Sequence, residues 1–236
     1  MDLSLGKIKL LFVLFFIFLF ASSTHGQEGE SKTGAWYQYI WSKGLTDNGW
    51  GINGDFQYRD YEGIGDFQQF IARAAVTYNF KDTPLTVVGG YGYFSSGAFG
   101  ESDITSYEHR LHQDALLSQK IGNRLYLGHR IRLEERFVEG QDFRTRFRYM
   151  LAARIPFNQT TLSKNAFYAV AWSEIFANGQ KDIGDGRTVP LFDRNWSLIG
   201  LGYSINDTMK FELGYMRETT ETWTKGQLVL HLNHTW

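Results

Sequence analysis

The 236 residues suit a single domain, and 24 Lys and Arg against 25 Asp and Glu leave a net charge of −1. That balance points to neither nucleic acid nor an acidic membrane surface as a partner. With 0 Cys no disulfide framework is available, so an exported chain of this kind depends on its own packing or on a membrane.

The N-terminus has the layout of a secretory signal. Lys7 and Lys9 precede an unbroken apolar run from Leu10 to Ala21, and Thr24 and Gly26 suit the −3 and −1 positions of a cleavage site. The run is well short of the roughly 20 residues that a membrane-spanning helix needs. Residues 1–26 are therefore expected to be a cleaved signal peptide and 27–236 the exported domain, starting at Gln27. The Asn-x-Ser/Thr triplets at Asn158, Asn195, Asn206 and Asn233 read as chance.

Alternation dominates the exported domain. Tyr37, Tyr39 and Trp41 share one phase, as do Trp50, Ile52, Gly54, Phe56 and Tyr58, which oppose Asn53, Asp55, Gln57 and Arg59. Phe70, Val76 and Tyr78 oppose Arg73 and Thr77; Tyr91 and Tyr93 mark another segment. Leu125, Ile131, Leu133 and Phe137 oppose Arg130, Arg132, Glu134 and Arg136, and Phe147, Tyr149 and Ile155 oppose Arg144, Arg146, Arg148 and Arg154. Glu174 lies between Trp172 and Phe176 and breaks an otherwise apolar face, which implies a lumen residue or a bulge. Leu213 and Tyr215 oppose Glu212. The last segment sets Leu228, Leu230, Leu232, His234 and Trp236 against Gln227, Val229, His231, Asn233 and Thr235, and ends on an aromatic.

Side chains alternate faces along a strand, so these segments each have one apolar face. A soluble secreted β-sandwich that binds glycan or protein alternates too. Two features favour a membrane barrel. The strands run to roughly 10 residues or more, where globular strands average about 5 or 6. Aromatics also cluster near strand ends, where a barrel places its girdles. About eleven candidate strands can be counted. Bacterial single-chain barrels have even numbers, so an all-β, antiparallel, transmembrane up-and-down β-barrel of about 10 strands is expected, with 12 as the alternative and Trp36 to Trp41 as the doubtful element. The connections Asn79–Pro84, Lys120–Asn123 and Ile205–Thr208 are short, whereas Ser95–Thr105 and Ala177–Leu191 are longer, as for periplasmic turns and outer loops.

The order and spacing of several segments carry a resemblance. They are Gly34-Ala35-Trp36, Arg132-Leu133-Glu134-Glu135-Arg136, Arg144-Thr145-Arg146-Phe147-Arg148-Tyr149, Ser173-Glu174-Ile175-Phe176-Ala177-Asn178, Phe192-Asp193, Gly200-Leu201-Gly202-Tyr203 and Gly214-Tyr215-Met216. Over nearly all of the exported domain the chain resembles the domain of unknown function 2490 family, outer-membrane barrels of Bacteroidetes and some Proteobacteria. Arg194-Asn195-Trp196 departs from the family's more usual Asn-Arg ending. The resemblance implies a fold and a membrane but no activity.

The charged residues make the candidate site. Glu108, Arg110, His112 and Asp114 share one face of a strand, and Arg130, Arg132, Glu134 and Arg136 share a face of the next, with Arg144, Arg146, Arg148 and Arg154 beyond. Charge on a lipid face costs up to roughly 2–4 kcal/mol at mid-bilayer, so these groups are expected to point inward. The short connection Val138–Asp142 makes the last two strands a hairpin, with Glu134 among several guanidinium groups. The expected role is structural: the pairs fill and stiffen a narrow barrel. An anion-leaning solute porin is the alternative, and an outer-membrane lipid-modifying hydrolase the second. No catalytic residue, metal ligand or cofactor is assigned; His109 and His129 fall on the lipid face, and no serine sits in a nucleophile setting. Expected partners are outer-membrane lipid and, through Trp236, the barrel-assembly machinery; no small-molecule ligand is identified.

Overall fold

In the computed structural model, which describes residues 33–100 and 104–236, alternation becomes eleven strands and no helix among the described residues. They are β1 (Gly34–Gly44), β2 (Trp50–Asp60), β3 (Phe67–Asn79), β4 (Leu85–Gly97), β5 (Thr105–Ile121), β6 (Leu125–Val138), β7 (Arg144–Pro156), β8 (Phe167–Asn178), β9 (Phe192–Ser204), β10 (Met209–Thr219) and β11 (Thr224–Thr235). The signal segment 1–26 lies outside the described residues.

Every strand pairs antiparallel with its neighbours in sequence, and the sheet closes into a barrel. The closing pair is parallel: β1 lies beside β11, from Gly34 opposite Gln227 to Ser42 opposite Thr235. Strands that alternate in direction leave the first and last of an odd set pointing the same way, so an eleven-strand ring can close only by a parallel pair. This corrects the expectation of 10 or 12 strands. It also makes Trp36–Trp41 the middle of a full strand, held antiparallel by β2 on its other side.

Strand direction divides the connections between two rims. Residues 61–66, 98–100 with 104, 139–143, 179–191 and 220–223 gather at one rim, together with the start of β1. Residues 45–49, 80–84, 122–124, 157–166 and 205–208 lie at the other, with Trp236. Gly122 takes φ +58° in the tightest of these turns, a conformation that favours glycine. The connection 157–166 is the long one on the otherwise short side. It is tied down by Asn158 Nδ2–H donating to the Asn165 carbonyl and by Ser204 Oγ–H donating to the Leu162 carbonyl, and it buries Ala166 completely.

The two faces of the sheet differ sharply. Outward, apolar side chains stand in the open around the ring, among them Phe56, Val76, Leu111, Ile131, Phe147, Ile199, Leu213 and Leu228. Aromatic pairs mark both rims: Tyr37–Tyr58, Tyr93–Tyr107 and Phe137–Phe143 at one, Trp50–Tyr78, Phe157–Phe167 and His234–Trp236 at the other. Inward, the wall from β8 through β11 to β1 packs Tyr168, Val170, Trp172, Leu198, Met216, Val229 and Trp36 into an apolar cluster. Gly202 makes room for it, because a Cβ there would collide with the Tyr168 ring.

Candidate functional site

The other side of the lumen is charged, and between the two sides lies a cavity of about 570 Å³. Cross-strand register stacks the charged side's residues in rows. Arg110 lies opposite Arg136, which lies opposite Arg144; His112, Glu134 and Arg146 form the next row, and Asp114, Arg132 and Arg148 the one below. Like charges directly opposite destabilise a sheet, so the diagonal contacts decide whether the arrangement holds.

Glu134 is the hub and is only 1% exposed. Its Oε2 accepts from Arg146 Nε and Nη2 at 2.8 and 2.6 Å, and its Oε1 from Arg148 Nη1 at 2.7 Å. Arg110 and Arg132 stand further off, at 3.7 and 3.9 Å. Glu108 takes two forked contacts, from Arg110 at 2.7 and 2.7 Å and from Arg136 at 2.6 and 3.0 Å. Asp114 binds Arg132 through both oxygens at 2.6 and 2.7 Å. The Glu108 and Asp114 contacts are fork-to-carboxylate geometries, the strongest form of charge-assisted hydrogen bond.

Glu174, which interrupts an apolar face in the sequence, accepts from Arg130 Nη2 and Arg148 Nε at 2.8 Å each. It is a lumen residue in regular phase; the β8–β9 bulge falls later, between Phe176 and Ala177. All nine charged residues singled out in the sequence (Arg110, Asp114, Arg130, Arg132, Glu134, Arg136, Arg144, Arg146 and Arg148) therefore face one lumen, and eight of them join ion pairs there. Arg144 joins none. Trp236, at the opposite rim, donates its backbone N–H to the Ser42 carbonyl at 3.0 Å and sets its ring 6.4 Å from that of Trp41.

Several partners lie outside the three neighbouring strands. Arg146 Nη1 also reaches Asp193 at 2.7 Å, Arg194 links Asp193 to Glu218, and Arg73 forks onto Asp55. Arg154 on β7 spans to Glu212 on β10 at 2.7 and 3.2 Å, where Tyr168 O–H donates at 3.0 Å and His231 Nδ1 lies at 3.4 Å. Arg154 belongs to the charged face read from the sequence, and Asp55 and Glu212 carry the inward phase on their own strands, so alternation extended to every strand finds them. Asp193 sits beside the bulge, where phase gives no guide.

The assembly can neutralise, brace or hold an anion. His109 and His129 face outward and bond to the Tyr91 and Tyr149 hydroxyl groups at 2.5 and 2.9 Å, away from the cavity. Among the described residues no group of three or more His, Asp or Glu side chains is placed to hold a metal ion.

Comparison with curated proteins finds no match. A family model does match, over residues 33–229, from just before β1 to the middle of β11. An all-β barrel with a charged lumen, matched over nearly its whole described length, is thus a member of the family described as protein of unknown function (DUF2490).

Proposed function

We propose that this chain is a bacterial outer-membrane barrel, exported by its N-terminal signal peptide, with lipid around its outer face and a cross-braced lumen that conducts poorly. The observation that carries the reading is the inverted distribution of side chains. Ile131 and Ile199, mid-strand on β6 and β9, are 60% and 61% exposed, whereas Arg132 and Arg146 are buried. A protein surrounded by water shows the opposite, and its largest apolar patch rarely exceeds a few hundred Å². Lipid solvates the outer face and lets the arginines pair inside. The aromatic pairs at both rims fit interfacial girdles, and the alternating C-terminal strand ending in Trp236 fits a segment read by the barrel-assembly machinery.

The poor conductance follows from struts between strands that are not neighbours: Arg154 to Glu212 from β7 to β10, and the Arg59 guanidinium 5.3 Å from the Trp196 ring, from β2 to β9. Such a lumen is a brace before it is a passage. Fractionation tests the membrane placement. The protein is expected in the outer membrane, and unheated samples are expected to migrate differently from boiled ones on a gel. Recovery from the periplasm without detergent overturns the reading. In planar bilayers the folded protein is expected to give almost no current; large, long-lived conductance steps rule out the brace.

A further inference from the structure

Eleven arginines line the lumen cavity. Eight carboxylates meet them: those of Asp55, Glu108, Asp114, Glu134, Glu174, Asp193, Glu212 and Glu218. The surplus is concentrated. Nine of the arginines contact at least one of these carboxylates, and two, Arg144 and Arg59, contact none.

Arg144 is 7% exposed, lines the cavity, and has no hydrogen-bond or ion-pair partner among the described residues; its Nε is buried and unsatisfied. Its neighbour across the ladder is Arg136, whose guanidinium is committed to Glu108. Arg59 is held by neutral groups only. It donates to Gln57 and Gln69 and lies 3.7 Å above the Trp36 ring. The two stand on β7 and β2, as far apart as two strands of an eleven-membered ring can be, and both near the rim where β1 begins.

Buried charge without a partner is strongly unfavourable. Arg144 is such a cation, and across the cavity the half-buried Arg59 carries a charge that only neutral groups meet; together they define where a counter-charge belongs, and a guanidinium fork matches the spacing of two oxygens on one acid group. The volume falls within the roughly 300–1,000 Å³ of small-molecule sites. The strand wall separates the cavity from anything on the outer face, so lipid headgroups are not the source. We propose that the lumen binds a small water-borne oxyanion, a phosphate or carboxylate solute, gripped by Arg144 with Arg59 supplying charge from the far wall. The proposal does not depend on the membrane placement, because the cavity lies inside the barrel whatever surrounds it.

The test uses the full exported chain refolded in detergent, its fold checked by the heat-dependent gel shift. Inorganic phosphate and, separately, succinate are titrated at constant ionic strength against chloride while the melting temperature is read. At least one is expected to raise it saturably. Arg144→Gln breaks no ion pair, so it is expected to melt in chloride no lower than the unmodified protein, while its anion midpoint moves up by about tenfold or more. Arg144→Lys, which keeps the charge and loses the fork, should fall between. If neither anion acts saturably, or if Arg144→Gln responds like the unmodified protein, the site does not exist. Should Arg144→Gln not refold, the unmodified protein and Arg144→Lys decide by the same criteria. A missing gel shift speaks against the membrane barrel, a flat titration against the anion site.

Discussion

The two sides of the lumen are filled by opposite means. Along β5 to β8, guanidinium and carboxylate groups meet at fixed angles around Glu134, Glu108 and Asp114. From β8 through β11 to β1, rings and aliphatic chains interlock, with Trp36 and Phe176 edge-on to Trp196 at 4.8 and 4.5 Å. Apolar side chains close-pack because any orientation that fills volume will do. Forked ion pairs demand direction, and like charges held apart cannot fill the space between them. The cavity lies between the two sides, with the arginines on one and Trp36, Trp172 and Trp196 on the other. The charged side should fail abruptly when one partner is lost, and the apolar side in proportion to the volume removed.

Substitutions on each side put numbers on that contrast, all measured by urea unfolding of the detergent-refolded barrel. Glu134→Gln should have the largest effect. It removes the carboxylate that Arg146 and Arg148 share, leaving each with one acidic partner, Asp193 and Glu174, in a buried setting, where loss of one ion-pair partner costs about 3–5 kcal/mol; a loss below about 1 kcal/mol would mean that the lumen is wet enough to screen the cluster. Met216→Ala, fully buried in the apolar cluster, should cost about 3 kcal/mol, as large-to-small core changes do. A much smaller loss would show that this side collapses easily and is not close-packed. The smallest net change is expected where both partners go together. Asp114→Leu with Arg132→Met should destabilise by about 1 kcal/mol or less, well under either single change, because it leaves no unpaired charge. A double variant as damaged as its worse parent would mean that Arg132 matters chiefly to Glu134 and not to Asp114.

Much of this was legible in the chain. Period-two alternation marks most of the strands, and the phase of Arg130 to Arg136 against Arg144 to Arg148 already places the densest part of the charged wall. Closure was not legible. Trp36 to Trp41 looks expendable because an even number of strands is assumed, and alternation, which reports the way a side chain points and says nothing about the direction of the strand next door, cannot correct it. Long-range struts were hidden for the same reason. Arg154 and Glu212 lie 58 residues apart, and nothing local to either indicates that the curvature of a ring brings them together. The unpaired state of Arg144 is a further step removed, since it follows from Glu108 choosing Arg136, a competition settled only in three dimensions.

The parallel seam between β1 and β11 has a consequence for where the two ends of the domain emerge. In a ring of antiparallel strands the ends meet at the same rim, and a few residues could join them. Here Gly34 and Trp236 leave from opposite rims, so a circularly permuted version needs a linker that crosses the full height of the wall. In a membrane the same geometry sends the two tails to different sides. An epitope attached ahead of β1 would be reached by antibody from one compartment, and an epitope after β11 only from the other.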